Sequence, residues 1–218
     1  MMRREARRCQ DSVCAVYIEM ATQRRYELKK RAEGMEATRR RIMETTVELH
    51  RTVGPAATQI SEIARRSGVR RVTVYNHFPE ERLLLAACSA HWRSLHPAPA
   101  IEPWLQIEDP SVRLRTGLQA LYAWYRETEP MTANVLRDAE VMPALRDILD
   151  SGLLRYLDRT RDTLAAPFGI RGRASVRVVA ATGAAIEFHT WRRLSALGDA
   201  VAADLAASMV ERAATRRR

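Results

Sequence analysis

The sequence predicts an all-α fold, and two features of its pattern lead to that expectation. Its 218 residues contain no Asn-Gly or Asp-Gly hairpin turn and no sustained alternation of polar and apolar residues, both of which are typical of strands. Apolar residues instead recur three or four positions apart, as in Leu114, Leu118 and Leu121. Pro and Gly residues separate the segments that carry this spacing. We therefore expect a chain of helices without a sheet.

The predicted organisation is an extension followed by two helical domains. Residues 1–25 lack an apolar stripe, so we expect a disordered basic extension there. Residues 26–96 form the first domain, in which Gly54-Pro55 ends a long helix. A proline-rich break over residues 97–103 leads to a second helical domain over residues 104–214.

Capping and breaking residues set the expected helices of the second domain. Asp109-Pro110 is typical of a helix start, because Asp caps free backbone N–H groups and Pro suits the first turn. Glu129-Pro130 is expected to end that helix. The remaining helices are predicted over residues 131–138, from Met142-Pro143 to about Ala166, over about 173–196, and over 199–214.

Positive charge is concentrated in the first third of the chain. Residues 1–82 carry 18 basic and 11 acidic side chains, whereas residues 83–218 carry 18 basic and 15 acidic ones. A local excess of positive charge beside a nearly neutral body favours a polyanionic partner for the first domain. Solubility alone is the alternative explanation for the same excess.

The clearest motif is a pair of short helices within residues 58–78. Thr58 is expected to cap the first helix, and Gly68 to form the turn, because glycine takes a positive φ without steric cost. The second helix is expected over about residues 70–77, with Val74 facing the core. Two helices joined by a tight turn form a helix-turn-helix, whose second helix fits the major groove of DNA.

Residues of the second helix that face away from the core are the candidates for DNA contact. Arg can donate two hydrogen bonds to guanine, Val and Thr methyl groups can pack on thymine, and polar groups near the helix end suit phosphates. The candidates are Arg70, Arg71, Val72, Thr73, Tyr75, Asn76 and His77. Packing and solvation alone could also explain these helices. Basic clusters at 24–25, 29–31 and 39–41 are either a minor-groove arm or a solvated tail.

The run TQISEIARRSGVRRVTVYNHFPEERLLL over residues 58–85 resembles the helix-turn-helix of the tetracycline-repressor (TetR) family of bacterial transcription regulators. The resemblance implies base contacts by Arg71, Val72 and Thr73, phosphate contacts by Tyr75 and His77, and positions near DNA for Thr58 and Ser61. Two residues depart from the family pattern. Arg70 stands where a small hydroxyl residue is usual, and Glu81 stands where many members have a Lys that reaches a phosphate.

The same resemblance implies that the second domain dimerises and holds a small effector. The last two helices would then form a four-helix bundle with their copies in a homodimer. Small residues that would permit close approach are Ala180, Ala181, Gly183, Ala184, Ala202, Ala203, Ala206 and Ala207. Packing within one chain could use the same residues.

Aromatic and polar side chains of the second domain are candidates for an effector pocket, because such pockets are mostly apolar with a few directed polar groups. The candidates are Tyr122, Tyr125, Met131, Asn134, Arg137 and His189. Each aromatic residue by itself is more typical of a plain hydrophobic core, and His189 of an interior or interface histidine, than of a pocket.

Enzymatic and metal-binding motifs are missing from the sequence. We find no Gly-rich phosphate loop, no His-Glu-x-x-His and no Gly-x-Ser-x-Gly. The three Cys residues have neither disulfide nor metal spacing, which suits a reducing cytoplasm. No apolar run approaches the ~20 residues that span a bilayer. We expect no catalysis, no cofactor, no metal and no membrane association.

The sequence therefore predicts a cytoplasmic, dimeric transcription regulator with an all-α fold. The expected function is repression, with release from a palindromic double-stranded DNA operator by a small-molecule effector. The alternative is a ligand-independent regulator whose second domain only dimerises or recruits a protein. An enzyme or carrier that inherited the fold is a more distant alternative.

Overall fold

A computed structural model of the chain describes residues 2–169 and 172–215. Helices account for the regular structure of these ranges, in which there is no strand, and the all-α prediction is confirmed. In chain order the helices are α1 (Met2–Thr52), α2 (Ile60–Ser67), α3 (Arg71–His77), α4 (Glu81–Leu95), α5 (Glu102–Leu105), α6 (Pro110–Asp138), α7 (Pro143–Leu149), α8 (Arg155–Ala165), α9 (Arg173–Ile186), α10 (Phe188–Leu194) and α11 (Asp199–Ala214). Within the described ranges no helix is long and apolar enough to cross a membrane.

Helix α1 begins at Met2, so the expectation of a disordered segment through residue 25 is corrected for residues 2–25. Side chains 23–37 are all exposed, whereas Ile42 and Leu49 further along the helix are buried. Extending an anchored helix costs little, because only nucleation is expensive. Local pairs add support: the Gln23 amide donates to Glu27 at 3.2 Å.

The first domain packs α1 to α4 around one apolar core. Ile42, Ile63, Val74, Phe78 and Leu84 are buried together. The turn between α2 and α3 has Gly68 at φ 67°, as the sequence predicts.

The prediction that Thr58 caps α2 is wrong. The residue before the helix is Gln59, which makes no side-chain cap, and the Thr58 hydroxyl donates to the Gly54 carbonyl at 2.7 Å. The hydroxyl therefore stabilises the preceding turn and accepts no hydrogen bond from the first N–H groups of α2.

In the second domain, α6 continues through Pro130, so the predicted stop at Glu129-Pro130 is wrong. Proline removes the donor for the carbonyl of Arg126, but both residues are exposed and water can supply that donor. Burial of Thr128 and Met131 on the opposite side holds the helix together.

The chain predicted as one helix over 173–196 is divided at Glu187, whose backbone is extended. The hydroxyls of Tyr122 and Tyr125 donate to the carbonyls of Ala185 and Ile186, each at 2.7 Å. These tyrosines satisfy carbonyls that the end of α9 leaves without helical donors, which stabilises the break. The predicted helix from residue 143 is present as α7, a π-helical turn over Asp150–Leu154, and α8.

A polar joint, formed by Gly54, Asn134, Arg137 and Asp138, fixes the first domain on α6. The Asn134 amide donates to the carbonyls of His50 and Arg51 at 3.0 and 2.9 Å, and so caps the end of α1. The Asp138 carboxylate accepts from the Ala56 N–H at 2.9 Å. Gly54 has φ 95°, and a Cβ there would clash with Arg137 Nη2 and Asp138 Oδ2.

We predict that Gly54→Ala lowers the free energy of unfolding by about 3 kcal/mol, since it adds a clash to the cost of a positive φ. Gly68→Ala is the matched control, because φ is 67° there and nothing lies within 4 Å of its Cβ position. Gly68→Ala should lower the free energy of unfolding by only about 1–2 kcal/mol. Urea unfolding of both variants is the measurement, and equal losses would contradict the importance of the joint.

Candidate nucleic-acid interface and interdomain cavity

Helix α3 presents one face to solvent, and most of the predicted contact residues lie on it. Val72 is 59% exposed and Tyr75 is 51% exposed, whereas Val74 between them is fully buried. Exposed or half-exposed neighbours complete this surface, which we call the α3 face: Arg70, Arg71, Val72, Thr73, Tyr75, Asn76 and His77. The structure brings seven of the nine predicted DNA-contact residues together.

Of the other two, Thr58 lies before the start of α2 and Ser61 lies in its first turn. Both are half-buried, and the Ser61 hydroxyl donates to the Gln59 side chain at 3.3 Å. Glu81 and Arg82 are both exposed in the first turn of α4. Whether Glu81 weakens phosphate binding stays a prediction.

Charge on this side of the domain is divided between paired and unpaired arginines. Glu62 accepts from Arg65 at 2.7 Å and from Arg66 at 2.6 Å, and these guanidinium groups lower the pKa of its carboxyl to about 2. Arg70 and Arg71 make no ion pair with any residue of the described ranges. The α3 face therefore carries positive charge that is available to a partner.

Arg39 holds the end of α3 in place. Its Nη1 donates to the His77 carbonyl at 2.7 Å, and its guanidinium lies 4.1 Å from the ring centroid of Phe78. Sequence analysis placed Arg39 in a basic arm and missed this role. The only signal available was a run of three arginines, which does not distinguish one from another.

A cavity of about 160 Å³ lies between the two domains. Helices α1 and α4 supply one side, and α6, α7, the π-helical turn and α8 supply the other. Its buried lining residues are His50, Leu85, Cys88, Met131, Thr132, Leu145 and Leu149, and its half-buried aromatic ones are Trp92, His96, Trp124 and Tyr156. Arg93 lines it but is exposed, which places this side chain at the mouth.

Buried groups at the inner end of the cavity are uncharged at neutral pH. Burial lowers the pKa of His50, which is 6% exposed, to about 4, although Asp138 opposes this shift. Burial raises the pKa of the Cys88 thiol to about 12. Among the described residues, no hydrogen bond satisfies the His50 ring, whereas the Thr132 hydroxyl donates to Thr128 at 3.2 Å.

The six predicted effector residues do not form one pocket, and this expectation is corrected. Only Met131 lines the cavity. Tyr122 and Tyr125 are fully buried, with their hydroxyls on the end of α9, and Asn134 and Arg137 belong to the polar joint. His189 is exposed. Aromatic spacing alone could not separate core from pocket, because both use the same side chains.

Helices α9 and α11 expose apolar residues on their outer sides. Val201, Leu205 and Met209, four residues apart on α11, are 56%, 44% and 51% exposed, and Val176 on α9 is 70% exposed. We call these four residues the α9–α11 stripe. Ala202, Ala203, Ala206 and Ala207 are instead fully buried within the chain, so the expectation that they meet a second copy is corrected.

We predict that Arg39→Ala lowers the free energy of unfolding by about 2 kcal/mol, because it removes a hydrogen bond and a cation–π contact. Arg40→Ala is the matched control, since Arg40 is exposed. That variant should change stability by less than about 0.5 kcal/mol. The measurement is thermal unfolding of both variants without DNA. If the unfolding curves of Arg39→Ala and Arg40→Ala are indistinguishable, the structural role of Arg39 is refuted.

Comparison with known proteins identifies the first domain. Residues 42–88 match the family model described as bacterial regulatory proteins, tetR family. No curated protein is a significant match to the chain.

Two solved structures share the fold. A TetR transcription regulator from Haloarcula marismortui is 19% identical, with 82% of this chain and 97% of that chain covered and a TM-score of 0.51. A Clostridium perfringens protein described as a fatty acid metabolism regulator is 14% identical, with 82% of this chain and 100% of that chain covered and a TM-score of 0.57. Residues 42–88 are thus similar to the DNA-binding region of bacterial regulatory proteins of the tetR family, and the two solved structures share the fold over most of the chain.

Proposed function

We propose that this regulator is a homodimeric repressor that binds a palindromic operator through two copies of the α3 face. The observation that carries the proposal is that face itself. It holds exposed Val72 and Tyr75 beside Arg70 and Arg71, which have no carboxylate partner in the described ranges. Exposed apolar and cationic groups on a helix that projects from its domain are suited to base edges and phosphates.

Specific roles follow from position along α3. Arg71 and Thr73, near its start, are proposed to contact bases together with Val72, while Tyr75 and His77 near its end are proposed to contact phosphates. Arg70 and Asn76 flank these positions. Thr58 and Ser61 are proposed to lie close to the DNA backbone beside the start of α2.

Dimerisation is proposed to bury the α9–α11 stripe. Apolar side chains spaced four residues apart on one helix face would otherwise lie in water, which marks an interaction surface. A second copy is the partner that fits, because a palindromic operator requires two recognition helices related by a two-fold axis.

Effector release is proposed to act through α4. This helix contributes Leu84 to the core of the first domain, and Leu85, Cys88 and Trp92 to the cavity. A ligand that prefers one position of α4 would change the separation of the two α3 faces. The operator binds only when the two α3 faces have one particular separation. A ligand that favours another separation would therefore lower the affinity for the operator.

We predict that Arg71→Ala weakens binding to the selected operator by ~1–3 kcal/mol and weakens binding to random DNA less, because a base contact is lost. Arg193→Ala, at an exposed arginine of α10, is the matched control and should leave both affinities unchanged. Fluorescence anisotropy at fixed salt is the measurement. Equal weakening on both DNAs would assign Arg71 to phosphate contact instead.

We predict that Leu205→Glu converts a dimer into monomers, because it places a charge in the middle of the α9–α11 stripe. Leu105→Glu makes the same change at a residue of α5 that is 52% exposed, and this variant should remain dimeric. Size-exclusion chromatography with light scattering gives the mass of each. A dimeric Leu205→Glu protein would show that another surface forms the interface.

A further inference from the structure

We infer that the interdomain cavity binds a small, neutral aromatic molecule that carries a hydroxyl group, with its ring between the tryptophans and its hydroxyl on His50. The inference rests on the proposed function, because it gives the chemical class of the effector. Three features of the cavity support the inference: its volume, the aromatic side chains that form its walls, and the His50 ring at its inner end.

The volume suits a single ring. At about 160 Å³ the cavity is close to the ~150 Å³ that is known to accommodate one benzene in an apolar protein interior.

Trp124 and Tyr156 offer flat apolar faces to the cavity, because their polar atoms already have partners. Trp124 Nε1 donates to the His96 carbonyl at 3.3 Å, and the Tyr156 hydroxyl donates to the Pro99 carbonyl at 3.0 Å. Trp92 is fixed by stacking on the His96 ring, with centroids 3.9 Å apart. A planar ring is the shape that packs well between such faces.

The inner end presents one polar group without a partner. The His50 ring lines the cavity, is 6% exposed and makes no hydrogen bond to any described residue. Because no described protein group pairs with this ring, a ligand hydroxyl at this position gains a hydrogen bond that the protein alone lacks. Two other polar groups of the lining already have partners, since Thr132 donates to Thr128 and Cys88 points to the Met43 carbonyl at 3.8 Å; the half-buried Ser89 also lines the cavity.

The charges around the inner end disfavour an anionic ligand. Asp138 lies near enough to His50 to influence its titration, and Arg137 already neutralises that carboxylate at 2.7 Å. The cationic side chain that lines the cavity, Arg93, is exposed at the mouth. A carboxylate beside His50 would therefore be desolvated without a cationic partner, which is expensive.

The test uses the full chain at pH 7 with three one-ring probes of similar size: phenol, toluene and benzoate. Isothermal calorimetry measures their affinities for the wild type, for His50→Leu, and for His189→Leu as the matched control at an exposed histidine. We expect the wild type to bind phenol roughly 2- to 10-fold more tightly than toluene, as one net hydrogen bond allows, and to bind benzoate most weakly. His50→Leu should lose the preference for phenol over toluene, and His189→Leu should keep it.

Several results would overturn the inference. These are toluene or benzoate binding as tightly as phenol to the wild type, a phenol preference that survives in His50→Leu, or no binding of any aromatic probe. If His50→Leu does not fold, Trp124→Leu replaces it. That variant should weaken phenol and toluene alike, and unchanged affinities would count against the site.

Operator affinity, measured separately, distinguishes this inference from the proposed function. Phenol that binds with the expected dependence on His50 but leaves operator affinity unchanged would refute effector release and leave the ligand class intact. An aliphatic or anionic compound that competes for the cavity and releases the operator would refute the ligand class and leave the proposed function intact.

Discussion

Hydrogen bonds of the polar joint hold the end of α1 against α6 and so fix the first domain on the second. Asn134 caps the last carbonyls of α1, and Asp138 holds the turn that follows, where the absence of a side chain on Gly54 lets the two helices approach. Since α1 also carries Arg39, which fixes the end of α3, the joint sets where the α3 face stands relative to the second domain. In a dimer, the same joint would set the distance between the two recognition helices.

Helix α4 connects the two functions proposed for this chain. It packs into the core beneath α3 on one side and lines the cavity on the other, where it faces α6, α7 and the π-helical turn over Asp150–Leu154. π-Turns interrupt the regular hydrogen bonding of a helix and often occur at functional sites. Gly152 in this turn lies beside the Arg93 guanidinium, which stands 2.9 Å from the position of a Cβ. A ligand in the cavity would thus contact helices of both domains at once.

Local patterns predicted the helix-turn-helix, and long-range contacts could not be predicted in the same way. The spacing of Val72, Val74 and Tyr75 assigns one residue to the core and two to the surface, because a short helix repeats every 3.6 residues. The partners of Arg39 and Asn134 lie 38 and more than 80 residues away, and no periodicity signals them. The same limit explains why Tyr122 and Tyr125 were expected in a pocket, and why Pro130 was expected to end α6.

Hydroxyl-radical footprinting would show whether two copies of one short helix lie in DNA at a spacing set by the fold. The wild-type chain would be bound to a duplex selected from a random library and probed at physiological salt. We expect two protected windows on one face of the duplex, with centres about 34–36 Å apart or a multiple of that distance. A single protected window, or failure to select any sequence, would contradict it.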